Sequence, residues 1–478
     1  MTAYKYPAAV FSVPFGRRRR VVVVPLLLAL MGASVAGAHS SDEPAAAVSA
    51  RADSLVIHVG RLLSVPGEGV REQQTIIVED GRIAAIEDGY ISPADAGRDG
   101  ADVIDLSTRF VLPGLIDSHV HITSTPSSSF QLDRVTQSDA HRAIWGAYNA
   151  KVTLLAGFTT VRDPAGFRGD SFDSVFALRD GIRAGKIPGP RLLVAGQGVG
   201  SLASQGDFLG YRHEVMDLFE ARSMCSGPYQ CRDAVRYLVK RGADFIKMVP
   251  TGWATGSESL GDQMHMFPDE LEAVVQTAHR FGRRVTAHAT GLEGAKAAIR
   301  AGTDAIEHGR VLDAEAVRMM VDNDVYLVPT LLVTTTFERA SSNRLPGSAR
   351  NVSASEGPSL APIVAKWFES VRLAHKAGVK IAFGTDSAIT PHGQNAGEFA
   401  LLVERVGMSP EEAIMTATVH AAANLGLSDQ VGRLEEGMWA DIIAVEGNPL
   451  EDVRLLEDVD FVMREGIAYK IAGRELVR

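Results

Sequence analysis

This 478-residue sequence predicts an α/β fold, a (β/α)₈ barrel with a small β-sandwich domain built from both chain ends. Three observations point there. Short β-branched runs with turn signals occupy 53–113 and return over 427–478. Between them, over 114–426, short apolar strands alternate with amphipathic helical stretches. The polar residues that close those strands are His, Lys and Asp, which a barrel gathers at one face. A doubly wound sheet is the architectural alternative.

Residues 1–38 stand apart. Arg17 to Arg20 form a basic run, Val21 to Met31 is almost unbroken apolar sequence, and small residues lead to Ala36-Gly37-Ala38. That is the order of a cleaved secretory signal. The competing reading is a membrane anchor, but the apolar run is about half of the ~20 residues a span needs. No Cys follows the run, so a lipoprotein is disfavoured; the arginines would also suit twin-arginine export. Cleavage would leave 440 residues and move the formal charge from −10 to −15. The expected product is exported, periplasmic or secreted, with no membrane contact after cleavage. Residues 39–52 read as a flexible leader.

In the first β-rich segment, Thr75 to Val78, Asp80-Gly81 and Ile83 to Ile86 form a hairpin pattern. In the last, Ala440 to Val445 and Val459 to Arg464 are strand-like, with Glu465-Gly466 as a turn. A single sandwich assembled from both ends requires the termini to meet. The middle offers eight strand candidates: Leu115 to Val120, Thr159 to Arg162, Arg191 to Ala195, Phe245 to Val249, Val285 to Ala289, Ala305 to Glu307, Tyr326 to Thr330 and Ile381 to Gly384. Helices fit between them. Leu271, Val274, Val275 and Ala278 follow the helical spacing with Gly282 to close, and Ser409-Pro410-Glu411-Glu412 has a capping-box pattern. Ser341 to Pro358, rich in Ser, Gly, Asn and Pro, reads as a long loop.

Composition narrows the function classes. With 22% charged and 6% aromatic residues the chain is not of disordered type, and 58 Asp+Glu against 48 Lys+Arg argues against nucleic acid as a partner. The two cysteines, Cys225 and Cys231, have the wrong spacing for C-x-x-C chemistry and no His at finger spacing. In an exported chain they are expected to form a disulfide clipping the loop before a helix at 231–241.

The strand ends carry the chemistry. Strand one ends in His119-Val120-His121, strand four carries Lys247, strand five ends at His288, strand six at His308, and strand eight runs into Asp386. An H-x-H on a strand puts both imidazoles on one face, roughly 6–7 Å apart. Further His and a carboxylate from other strands complete a set suited to Zn²⁺ or a neighbouring first-row metal. Lys247 becomes a sensible ligand if CO₂ converts it to an anionic carbamate that bridges two metals. Taken singly, each group has a blander role: a structural ion pair for Lys247, a turn or cap for Asp386. The other nine His (39, 58, 141, 213, 265, 279, 375, 392 and 420) are assigned to structure or surface, with His265 and His392 as partial exceptions because they fall in loops after site-bearing strands.

These residues sit in segments that resemble the metal-dependent amidohydrolase superfamily: 111–121 (VLPGLIDSHVH), 156–163 (AGFTTVRD), 242–247 (GADFIK), 285–288 (VTAH), 306–309 (IEHG), 383–386 (FGTD) and 431–441 (VGRLEEGMWAD). The resemblance covers about 53–475 and is strongest to the imidazolonepropionase-like and Xaa-Pro-dipeptidase-like branch. It implies one metal on His119, His121 and Asp386, a second on His288 and His308, and carboxylated Lys247 bridging two divalent ions, with Zn²⁺ the expected metal. It further implies a metal-bridging hydroxide as nucleophile and Asp386 as general base, then acid.

Departures bear on substrate. Many members of the branch carry Gly-Gly-His-Gly-Asp after strand three; here Ala203-Ser204-Gln205-Gly206-Asp207 places Gln205 at the His position. Where the branch often has Gly-Gly, this chain has Gly252-Trp253. Residues 251–267 contain neither the Tyr nor the Arg that commonly anchors a dipeptide carboxylate. Trp253 instead suggests an apolar wall, with plain loop packing as its bland alternative. The expected activity is hydrolysis of an amide or peptide-type C–N bond, in dipeptides, N-acyl amino acids or a bulky aromatic amide; Gln205, Trp253, His265 and His392 are the candidate substrate contacts. A cyclic amide or imidazolone substrate is disfavoured by Lys247 and by export. A catalytically idle metal-binding protein is disfavoured because all six site residues are present. As in related barrels, a homo-oligomer is an open expectation.

Overall fold

The computed structural model describes residues 54–127, 129–165, 173–204, 206–219, 221–252, 263–341 and 361–476. The export segment 1–38, the leader 39–52, Gln205, Trp253 and all but the start of the 341–358 loop lie outside the described residues.

The chain begins with β1 (Ser54–Leu62), β2 (Arg71–Glu79), β3 (Arg82–Asp88) and β4 (Asp102–Pro113). Asp80 and Gly81 both take left-handed φ, 49° and 77°, which gives the tight turn that an Asp-Gly pair favours between β2 and β3. β1 pairs with β4 in parallel, and the register shifts between Val59 and Arg61. Gly60 is required there, because a Cβ would stand 2.2 Å from the Ser107 carbonyl oxygen.

The middle is parallel β-structure with helices between the strands. β5 (Leu115–Asp117), β6 (Phe158–Asp163) and β7 (Arg191–Val194) form one sheet. β8 (Gly198–Ser201), β9 (Met224–Cys225), β10 (Ile246–Met248), β11 (Val285–Ala289), β12 (Ala305–His308) and β13 (Tyr326–Val328) form another, in the order β13-β12-β11-β10-β8-β9. Further backbone hydrogen bonds run between the sheets. Asp244 N–H donates to Val194 O (2.8 Å), and Leu327 N–H to Lys380 O (3.0 Å). Ser118 N–H donates to Phe383 O (2.8 Å), and Asp386 N–H to His119 O (2.8 Å). The eighth expected strand, Ile381 to Gly384, is not a regular strand; only isolated bridges at Ile381 and Ser387 occur. Asp386 turns left-handed (φ 57°) before a ladder can extend. Gly384 lets this segment lie against strand one, since a Cβ there would be 2.3 Å from Val328 Cγ1 and 3.1 Å from His119 Cβ.

Helix signals in the sequence have physical counterparts. The helix Pro410–Thr416 starts with a reciprocal cap: Glu412 N–H donates to Ser409 Oγ (3.1 Å) and Ser409 N–H to Glu412 Oε2 (2.7 Å). The helix Pro228–Arg241 begins earlier than the sequence suggests, with Pro228 at its first position. Cys231 therefore lies inside that helix, and its disulfide to Cys225 (Cα–Cα 5.0 Å) joins β9 to the helix rather than clipping a loop. Among the described residues no helix is long and apolar enough to cross a membrane.

The C-terminal strands, β14 (Ile442–Val445), β15 (Phe461–Arg464), β16 (Ile467–Ile471) and β17 (Arg474–Glu475), join those of the N-terminus. The order is β17-β16-β15-β14-β4-β1-β2-β3, one hydrogen-bonded sheet where two sheets of a sandwich were expected. The sheet curls, because its far edge returns to 437–440 through Ile83 N–H to Met438 O (2.8 Å) and Ala440 N–H to Gly81 O (2.9 Å). One face buries Ile57, Ile76, Leu106, Ile442 and Phe461 in its own core. The other sends Phe110, Leu112, Ile443 and Val462 into the larger core shared with the middle of the chain.

A polar staple crosses that boundary. Asp441, 2% exposed, accepts Arg191 Nη1 (2.7 Å) and the Glu465 N–H (2.8 Å), while Arg191 Nη2 meets Glu465 Oε1 (2.7 Å). Asp441→Ala leaves Arg191 with Glu465 as its one carboxylate and takes the acceptor from the Glu465 N–H, and is expected to destabilise the protein by about 1–3 kcal/mol, read as a lower urea midpoint at unchanged slope.

Candidate metal centre

Four imidazoles and a carboxylate converge where the parallel strands end. The His119 and His121 rings lie 5.3 Å apart, His119 and His308 5.0 Å, and His288 and His308 4.6 Å. Asp386 Oδ1 stands 3.0 Å from His121 Nε2 and 3.5 Å from His119 Nε2. His119, His308 and Asp386 each offer a donor atom, all within 4.8 Å of one another. Lys247 is buried on β10 and interacts electrostatically with Glu307, Arg162 and Asp386.

Three of the four imidazoles are aimed by their outer nitrogen. His119 Nδ1 bonds Glu307 Oε2 (2.7 Å), His121 Nδ1 bonds Ala165 O (2.5 Å), and His308 Nδ1 meets Thr330 Oγ1 (2.8 Å). Engaging Nδ1 outward leaves Nε2 as the atom turned toward the centre, the arrangement that orients metal-bound histidines. The backbone helps, since His308, Thr330 and Asp386 all take left-handed φ (70°, 50° and 57°), rare for residues with a Cβ. At a strand end this twist turns the side chain inward.

Glu307 is the hub of the supporting layer. It is fully buried and also accepts Arg162 Nη2 (2.5 Å) and the Thr286 hydroxyl. Burial would raise its pKa, but Arg162, His119 and Lys247 hold it below the usual carboxylate range. Asp117 forms a second hub, accepting His119 N–H (3.0 Å), Thr385 Oγ1 (2.6 Å) and Asn395 Nδ2 (2.7 Å). It ties β5 to the segment that carries Asp386. Burial raises its carboxyl to about 6, against these bonds.

The protonation states of His288, His308 and Asp386 suit cation binding. Burial, with Lys247 and other nearby cations, pushes His288 and His308 well down, so both imidazoles are neutral with a lone pair to give. Burial would raise Asp386, yet His119, His121 and Lys247 bring it down to about 2, so it is an anion at neutral pH. Burial brings Lys247 down to about 8, which makes a neutral amine accessible for reaction with CO₂. The donor set therefore fits a divalent metal.

His392 lies beside this cluster. Its Nε2 bonds Ser124 O (2.9 Å), and burial, with His121 nearby, keeps it at about 4. His265 N–H bonds Pro250 O (2.8 Å), three residues after Lys247. From the sequence Glu307, Arg162 and Asp117 had no assigned role, although the candidate strands 159–162 and 305–307 close on the first two; the available signal was a charge in each short, mainly apolar or β-branched strand.

Residues 110–468 match the Amidohydrolase family. An ochratoxinase of Aspergillus niger is 30% identical over 440 residues, spanning 87% of each chain. An imidazolonepropionase of Pseudomonas putida is 26% identical over 404 residues, covering 76% of this chain and 89% of its own. The crystal structure of a Xaa-Pro dipeptidase with bound methionine in the active site superposes with a TM-score of 0.78 at 36% identity, covering 87% of this chain and all of the other.

Glu307→Gln keeps the shape of the hub but removes the charge that orients His119. It is expected to weaken metal affinity about 10- to 100-fold, measured as metal retained against a competing chelator.

Proposed function

We infer an activity from the premise that this chain belongs to the amidohydrolase family, a group of hydrolases acting on C–N bonds. The protein is a binuclear metallohydrolase that cleaves an amide or peptide-type bond in a small molecule. The observation that carries this reading is the convergence of His119, His308 and Asp386, with His121 and His288 directly beside them. The strands that present them form a closed (β/α)₈ barrel, a reading supported by the hydrogen bonds linking β7 to β10, β13 to 380–382 and 383–386 to 118–119.

In this reading His119, His121 and Asp386 would hold one divalent ion, His288 and His308 would hold the other, and Lys247, once carboxylated, would serve both, with Zn²⁺ the proposed metal. When bound, such a pair lowers the pKa of water and polarises a carbonyl. Asp386, an anion at neutral pH, accepts the proton of the attacking water and returns it to the leaving nitrogen. Glu307 and Asp117 keep His119 and the 385–386 turn in place while the charge redistributes. His392, against Ser124 and near His121, lines the approach to the substrate.

A dipeptide, N-acyl amino acid or bulkier aromatic amide is the proposed substrate class. The dipeptidase structure and the ochratoxinase relative support that range. Export through the 1–38 segment is proposed with it, and the Cys225–Cys231 bond suits an oxidising compartment.

The purified protein is expected to carry two metals per chain, and Lys247→Ala to lose them; a reproducible content of zero or one in the wild type overturns the bridged pair. Asp386→Asn should leave a folded protein, by circular dichroism, with kcat reduced by at least about 10²- to 10⁴-fold. Hydrolysis of Zn²⁺-loaded protein against dipeptides, N-acyl amino acids and aromatic amides reads both the activity and its substrate class.

A further inference from the structure

At the opposite end of the parallel strands lies a cavity of about 510 Å³. Its wall is made where strands begin: Arg191 opens β7, Asp244 and Phe245 precede β10, and Arg283 and Arg284 precede β11. The metal-centre residues sit where strands end. In a barrel that starting end serves stability and is normally filled, so an open polar cavity there needs an explanation.

Its charge is one-sided. Seven arginines border it, against two carboxylates, Asp244 and Glu465. Four of the arginines are committed to neighbours. Arg162 bonds Glu307, Arg179 bonds Asp180 and Asp244, Arg191 bonds Asp441 and Glu465, and Arg464 pairs with Glu465. Arg284 approaches Asp304 only to 3.5 Å, and Arg183 reaches Asp244 at 3.9 Å. Arg283 pairs with no carboxylate among the described residues, and its Nε is buried without an acceptor.

A second observation is independent of the arginines. Asn424 borders the same cavity, is 1% exposed, and has no hydrogen-bond partner for either its amide nitrogen or its oxygen among the described residues. Buried amides are almost always bonded, because leaving water uncompensated is costly. An amide and a guanidinium with unused donors at one cavity are complementary to a ligand that brings oxygen acceptors.

We propose that this cavity binds a small organic oxyanion through Arg283, Arg284 and Asn424, remote from the metal centre. The guanidinium fork matches the paired oxygens of a carboxylate or phosphate. The Asn424 amide nitrogen donates to a further oxygen, and its Oδ1 accepts an N–H or O–H from the ligand body. Leu425 and Trp439 give an apolar wall, and the volume exceeds that of a bare inorganic ion, so the ligand is an organic acid or phosphate ester.

The test is titration calorimetry on the metal-loaded protein with succinate and with sulfate, the ionic strength held constant with chloride. Saturable binding of either anion, weakened at least tenfold in Arg283→Gln with unchanged hydrolysis in the absence of anion, supports the site. Preference for succinate identifies a carboxylate ligand, and preference for sulfate a phosphate ester. Asn424→Ala provides a second reading and should weaken the same anion severalfold. Binding of neither anion above the chloride control overturns the proposal. So does equal affinity in wild type and Arg283→Gln, which would place the anion at the metals.

Discussion

A carboxylate with no exposed atom, Glu307, sits between two parts of this molecule that carry opposite demands. On one side it fixes His119; on the other it neutralises Arg162, a guanidinium buried in the interior of the strands. Moving either charge inward alone would be costly, and together with the Thr286 hydroxyl they form a satisfied set. The rest of the site inherits this arrangement. His119 is the ring that both His121 and His308 approach, so its orientation sets where the donor atoms meet.

The second constraint is backbone strain at the ends of strands. His308, Thr330 and Asp386 occupy a conformation that costs roughly 1–3 kcal/mol each for residues with side chains. Each is held by groups with no direct part in the chemistry. Trp367 Nε1 donates to His308 O (2.8 Å), and Glu398 accepts the N–H groups of Leu331 and Leu332 just beyond Thr330. Asp117 grips Thr385 beside Asp386. Core packing and buried polar bonds thus supply the energy that keeps the donors turned inward.

Much of this was legible in the sequence. The period-two H-x-H, the alternation of strands and helices, and the position of His288 and His308 at strand ends lead from the sequence to one face, where the four imidazoles and Asp386 lie together. The Asp-Gly hairpin and the Ser-Pro-Glu-Glu cap were equally readable, because both are local. What could not be read depended on long-range packing. The irregular segment at 381–387 follows from a close approach at Gly384 that only the folded neighbours reveal. The single sheet depends on β14 pairing with β4, and its curl on 437–440 meeting β3, about 350 residues away in sequence. Glu307 had no role assignable from sequence because its partners, Arg162 and Thr286, lie on two other strands.

The joining of both chain ends in one sheet also governs how the molecule is made. β14 lies between β4 and β15, and Arg61 and Arg109 reach the backbone and acids of residues 446–460. None of these contacts exists until the last few tens of residues have been synthesised. Loop closure over such separations is slow, so β1 to β4 spend that interval with their hydrogen-bonding edge uncovered. β4 therefore gains its second hydrogen-bonded neighbour only when β14 has been made, so the N-terminal strands are completed by the last part of the chain.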